Sequence, residues 1–64
     1  MTLMYMLFLY DNRMGTVIVN DNNGNELTRG TASELNDKLS QDMLVSEVIA
    51  YGFYDGELCL RIAY

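Results

Sequence analysis

The chain has 64 residues, half of them apolar and 20% charged, a globular composition that excludes a disordered chain and suits one domain spanning 1–64. Histidine is absent and cysteine occurs once, so no intramolecular disulfide and no cysteine-built metal site can form. A net charge of −5, with only Arg13, Arg29, Lys38 and Arg61 to offset it, excludes the basic patch that a nucleic-acid backbone requires.

Residues 3–10 read Leu-Met-Tyr-Met-Leu-Phe-Leu-Tyr. The run is far shorter than the roughly twenty residues that cross a bilayer. No basic residue precedes it and no small-residue cleavage site follows, so neither a membrane span nor a signal peptide is expected. Its apolarity is continuous and not alternating, which predicts a first strand over Met4–Tyr10, buried on both faces at the centre of a sheet. Asp11 to Gly15 read as a polar connection.

Thr16 to Asn20 is a β-branched second strand, and Asp21-Asn22-Asn23-Gly24 returns the chain into a third, Asn25 to Arg29. A two-residue turn at Asn23-Gly24 would set Asp21 against Glu26, like charge facing like charge. A three-residue loop with Gly24 left-handed instead pairs Val19 with Leu27 and Ile18 with Thr28. A four-residue loop pairs Ile18 with Leu27. Either longer loop is acceptable.

Gly30 closes the third strand, and Thr31 with Glu34 three residues on forms a capping box. A short helix follows from Ala32 to Leu39 or Ser40, with Ala32, Leu35 and Leu39 on the face that docks onto the sheet. Gln41 to Leu44 leads into a terminal hairpin, Val45 to Tyr64. Asp55-Gly56 is a two-residue turn that needs positive φ at both positions. It sets Tyr54 opposite Glu57, Phe53 opposite Leu58, Tyr51 opposite Leu60 and Ile49 opposite Ile62. One face is then wholly apolar, and a slip of one residue would turn a whole strand over.

The expected fold class is α+β: a single small domain, β-β-β-α-β-β, with a mainly antiparallel five-stranded sheet and one short helix packed on one face. Chain direction allows the strand order 3-2-1-5-4, which centres the doubly apolar first strand.

The residues offer little chemistry. Without histidine the commonest general base and metal ligand is missing, and Cys59 has no group to activate it. Asp21, Asn23, Asn25 and Glu26 resemble the start of a calcium loop, but Glu26 stands where that loop needs Gly and Ala32 where it needs Glu. The glycines have no phosphate-loop spacing, Asp55 and Glu57 simply flank a turn, and the five tyrosines lack interleaved base for stacking on nucleotides. No enzyme activity, cofactor or metal is expected, and no motif identifies a family.

One helix of about two turns covers only part of a five-stranded sheet, so apolar surface is left over. Self-association as a homodimer is the expected remedy, through the small-residue face that carries Ala50, Gly52, Cys59 and Ala63. Acidic residues Asp21, Glu26, Asp55 and Glu57 are the candidate contacts for a heterologous protein partner with a basic surface. The leading expectation is a small acidic non-enzymatic protein-interaction module that binds and modulates another protein. Such domains occur among phage and mobile-element accessory proteins that act on host proteins, an analogy of size and charge. The alternative is a structural or assembly subunit that acts as a homo-oligomer with no separate target. Secreted domains of this size need a disulfide staple, so the cytoplasm is the expected compartment.

Overall fold

The computed structural model describes residues 1–10 and 14–64; the connection expected at Asp11 to Gly15 falls mostly on 11–13, outside the described residues. The elements run α1 (Leu3–Leu9), β1 (Val17–Asn20), β2 (Glu26–Gly30), α2 (Ala32–Lys38), α3 (Gln41–Leu44), β3 (Val48–Tyr54) and β4 (Glu57–Ile62). The class is α+β, as expected, but the sheet has four strands and not five.

The difference lies in residues 3–9, which form a helix where a strand was expected. A continuous apolar run does not distinguish the two by periodicity. Composition does: Leu-Met-Tyr-Met-Leu-Phe-Leu holds no β-branched residue, and leucine and methionine are strong helix formers. Thr2 supplies the start signal, its hydroxyl accepting the Tyr5 N–H at 3.2 Å.

The sheet order is β2-β1-β4-β3. This is the expected order 3-2-1-5-4 with its first strand taken out. The two neighbours of that strand were both to run antiparallel to it, so once it leaves the sheet they meet in parallel. β1 and β4 do so, pairing Val17 with Leu58 and Val19 with Leu60. The all-antiparallel sheet is thereby corrected to a mixed one.

The terminal hairpin keeps its expected register from Tyr54↔Glu57 through Phe53↔Leu58 and Tyr51↔Leu60 to Ala50↔Arg61. Asp55 and Gly56 both have positive φ, 53° and 78°, as the two-residue turn demands. A bulge beyond Ala50 then pairs Val48 with Ile62, so the expected pair Ile49↔Ile62 does not form.

The other hairpin, β1–β2, turns through Gly24 at φ 87°, with Gly24 N–H donating to the Asp21 carbonyl at 3.0 Å. That is the three-residue loop. Asp21 N–H reaches the Asn25 carbonyl at 2.9 Å, but a register shift past Asn20 pairs Val19 with Thr28 and Ile18 with Arg29, one residue beyond the expected partners.

α2 has its capping box: Glu34 N–H donates to Thr31 Oγ1 at 3.2 Å and Thr31 N–H to Glu34 Oε1 at 2.9 Å. Ala32 and Leu35 are buried, and Leu39 packs against the cluster as expected. α3 is a single turn that the reading of Gln41 to Leu44 as a lead-in missed; Ser40 caps it and Leu44 is buried. All three helices pack on one face of the sheet, above Val17, Val19, Leu58, Leu60 and Ile62.

Candidate interaction surface

α1 carries no charged side chain, and its one polar side-chain group is the Tyr5 hydroxyl. Leu3 and Leu7 point into the core, and Met6 and Tyr10 pack at its margin. Met4, Tyr5, Phe8 and Leu9 face outward, and Phe8 is 82% exposed. A helix that is apolar all round is ordinarily buried all round. On one flank a groove of about 550 Å³ separates α1 from α2, lined by Met4, Leu7, Phe8, Ala32, Ser33 and Asn36. On the other, a groove of about 210 Å³ separates α1 from β3, lined by Met6, Leu9, Tyr10, Tyr51, Phe53 and Leu58.

The second groove exists because β3 is an edge strand. Tyr51 and Phe53 sit opposite Leu60 and Leu58, on the face that bears the helices. Leu60 and Leu58 are covered; Tyr51 and Phe53 remain 67% and 62% exposed. Among the described rings Tyr10, at the C-cap of α1, leans across, its centroid 6.3 Å from that of Phe53.

Among the described residues no helix packs on the opposite face of the sheet. Three of the four small residues expected to form an oligomer interface meet there: Gly52 pairs with Cys59, and Ala50 lies opposite Arg61. Ala63 is not among them. It follows the end of β4, and its N–H donates to the Glu47 carbonyl at 2.9 Å. The patch is neither flat nor apolar, because Arg61 sits within it, Arg29 opposes Ile18 beside Cys59, and the Tyr54 ring covers Gly52. The Cys59 thiol lies 3.9 Å from the Glu57 carbonyl oxygen.

The acidic candidates divide between the two ends of the sheet. Asp21 and Glu26 sit where β1 ends and β2 begins; Asp55 and Glu57 sit at the start of β4, which runs parallel to β1. The first pair is already engaged within the chain. The Asp21 carboxylate accepts the N–H groups of Asn23 and Asn25, each at 2.9 Å. Glu26 accepts the Arg29 Nε–H at 2.9 Å. The hydrogen bond from Arg29 holds the Glu26 carboxyl below its ordinary range and raises the guanidinium in return. Asp55 occupies the left-handed turn position beside Glu57.

Among the described residues no polar or charged side chain is buried, and no three His, Cys, Asp or Glu side chains gather where a metal could sit. No described helix is long and apolar enough to cross a membrane. The exposed side of α1 escaped the sequence reading because a strand was expected there. The available signal was a Thr followed by eight apolar or aromatic residues, none of them β-branched. No protein-family model, curated protein or solved structure matches the chain.

Proposed function

We propose that the chain is a non-enzymatic protein-interaction module of the cytoplasm whose working surface is the exposed side of α1. The observation that carries this reading is Phe8, 82% exposed within seven consecutive apolar residues. A protruding aromatic among apolar neighbours is the usual anchor of a binding hot spot. The absence of any buried polar side chain among the described residues supports a surface built for contact and not for proton transfer.

The partner is a protein with an apolar pocket rimmed by basic groups. α2 and α3, which flank α1, carry Glu34, Asp37 and Asp42 against Lys38 alone. The net charge of −5 then steers the encounter, while the apolar contact sets how long it lasts. Asp21 and Glu26, engaged in internal hydrogen bonds, have a structural role that accounts for them.

A photo-reactive phenylalanine analogue at Phe8, introduced in the native host, would identify the partner by cross-linking. The purified partner is then titrated against wild type and Phe8→Ala. Loss of affinity by tenfold or more, with the melting temperature unchanged within about 1 °C, is the expected result. A partner that binds Phe8→Ala as tightly as wild type rules out this surface.

A further inference from the structure

The two edges of the sheet are protected very differently. β2 is blunted by the Glu26–Arg29 ion pair and by a register shift. β3 reads Val-Ile-Ala-Tyr-Gly-Phe-Tyr, seven residues without a charge. Its first part is occupied by the N-terminus, since Val48 N–H donates to the Met1 carbonyl at 2.8 Å and Thr2 pairs with Glu47. Ile49 lies in the bulge. Among the described residues nothing pairs with Ala50 to Tyr54 on its outer side, and this open edge is centred on Gly52.

We propose that this edge takes a second copy of the chain, antiparallel about a two-fold axis at Gly52, to give a continuous eight-stranded sheet. The backbone is set for it. Tyr54 and Glu57 close a two-residue turn and so form a hydrogen-bonded pair; the alternation of antiparallel pairing makes Phe53↔Leu58 and Tyr51↔Leu60 non-hydrogen-bonded. The N–H and C=O groups of Tyr51 and Phe53 therefore point to the open edge, where Tyr51 of one copy and Phe53 of the other satisfy each other.

Charge disfavours the neighbouring register centred on Tyr51. Each copy carries −5, so the seam must be neutral where the two approach. Centring the pair on Tyr51 would set Asp55 against Glu47 of the second copy. Centring it on Gly52 sets Asp55 against Ile49 and keeps like charges apart. Area is sufficient. Tyr51, Phe53 and Tyr54, each over 60% exposed, offer on the order of 400 Å² per copy at ~200 Å² per aromatic side chain. Ile49, Leu9 and the strand backbone extend this towards the ~600 Å² per partner at the lower bound of stable interfaces. Both α1 helices then lie on the same face of the joined sheet, so the assembly displays two copies of the Phe8 surface.

Sedimentation equilibrium of the whole chain at about 100 µM tests the proposal, with twice the 7.3 kDa chain mass expected. Tyr51→Lys puts a charge on the seam and should raise the dimer dissociation constant at least tenfold while the far-ultraviolet circular dichroism is unchanged. Register is read by cross-linking in a Cys59→Ser background. Gly52→Cys places two thiols across the axis, with Cα atoms about 4.5 Å apart, and should oxidise to a covalent dimer. Ala50→Cys, which faces Tyr54 of the second copy, should not. The Tyr54 ring that a Cβ at Gly52 would meet at 3.2 Å is solvent-exposed and free to swing aside. A wild-type monomer at this concentration, a dimer indifferent to Tyr51→Lys, or cross-linking at residue 50 and not 52 would each overturn the proposal. Phe8→Ala separates the two readings, since it should weaken target binding and leave the dimer intact.

Discussion

The rings of Tyr10 and Phe53 meet with centroids 6.3 Å apart and planes tilted by 46°. Tyr10 ends the apolar helix and Phe53 lies on the edge strand, so the contact joins the two elements that carry the exposed apolar surface. It also sets how far the helix layer reaches. Beyond this pair, nothing described covers Tyr51.

Tilted aromatic pairs at this distance contribute about 0.5–1.5 kcal/mol beyond their buried area. A double-mutant cycle with Tyr10→Leu and Phe53→Leu should therefore return a coupling energy in that range by urea unfolding. Additive single effects would show that the rings are merely adjacent.

Opposed residues on β3 and β4 should differ sharply in weight. Leu60→Ala empties a fully buried site and is expected to cost about 2–5 kcal/mol. Tyr51→Ala, directly across the hairpin, should cost the monomer less than about 1 kcal/mol. Unfolding is to be measured at a concentration where sedimentation gives the mass of a single chain. Equal losses would mean that the helices reach over β3 in solution.

Gly56 isolates a backbone effect. A Cβ there would meet no atom within 4 Å, yet φ is 78°. Gly56→Ala should thus cost about 1–2 kcal/mol from left-handed strain alone. D-alanine at the same position, placed by chemical synthesis, should cost nothing. If both forms melt alike, the turn has another geometry.

The capping box predicts a pH dependence. The Thr31 N–H, helped by the Thr31 hydroxyl, holds the Glu34 carboxyl below its ordinary value of 4.5. The unfolded chain then binds the proton more tightly, so this contribution is complete above about pH 4.5 and fades as pH falls through the lowered folded value. Glu34→Gln keeps an acceptor for the Thr31 N–H and should flatten that part of the melting-temperature profile. Thr31→Ala should cost about 0.5–2 kcal/mol at neutral pH. An unaltered acid limb in Glu34→Gln would place the titration elsewhere.

Features set within a few residues were legible in the sequence. Asp55-Gly56 requires positive φ at both positions, so the hairpin register followed from the turn and held as far as Ala50. Thr31 and Glu34 satisfy each other's backbone donors three residues apart, so the start of α2 could be placed to the residue. The order of the sheet survived in outline for the same reason: β2 follows β1 and β4 follows β3 through tight turns, which makes each pair adjacent.

An unbroken apolar run is compatible with helix or strand by periodicity, and the local signal for α1, Thr2 as cap before residues none of which is β-branched, stands in the sequence but outside the pattern that predicts the strand. Only the tertiary structure decided the rest. With that segment out of the sheet, β1 meets β4 in parallel. The apolar face of the hairpin holds from Phe53 to Tyr51, beyond which the bulge sets Val48 and not Ile49 against Ile62; yet Leu58 and Leu60 are buried while Phe53 and Tyr51 are not. Sequence alternation assigns a side chain to a face of the sheet. Whether that face is covered depends on how far a helix remote in sequence extends, and α1 stops at Tyr10, one strand short of the edge.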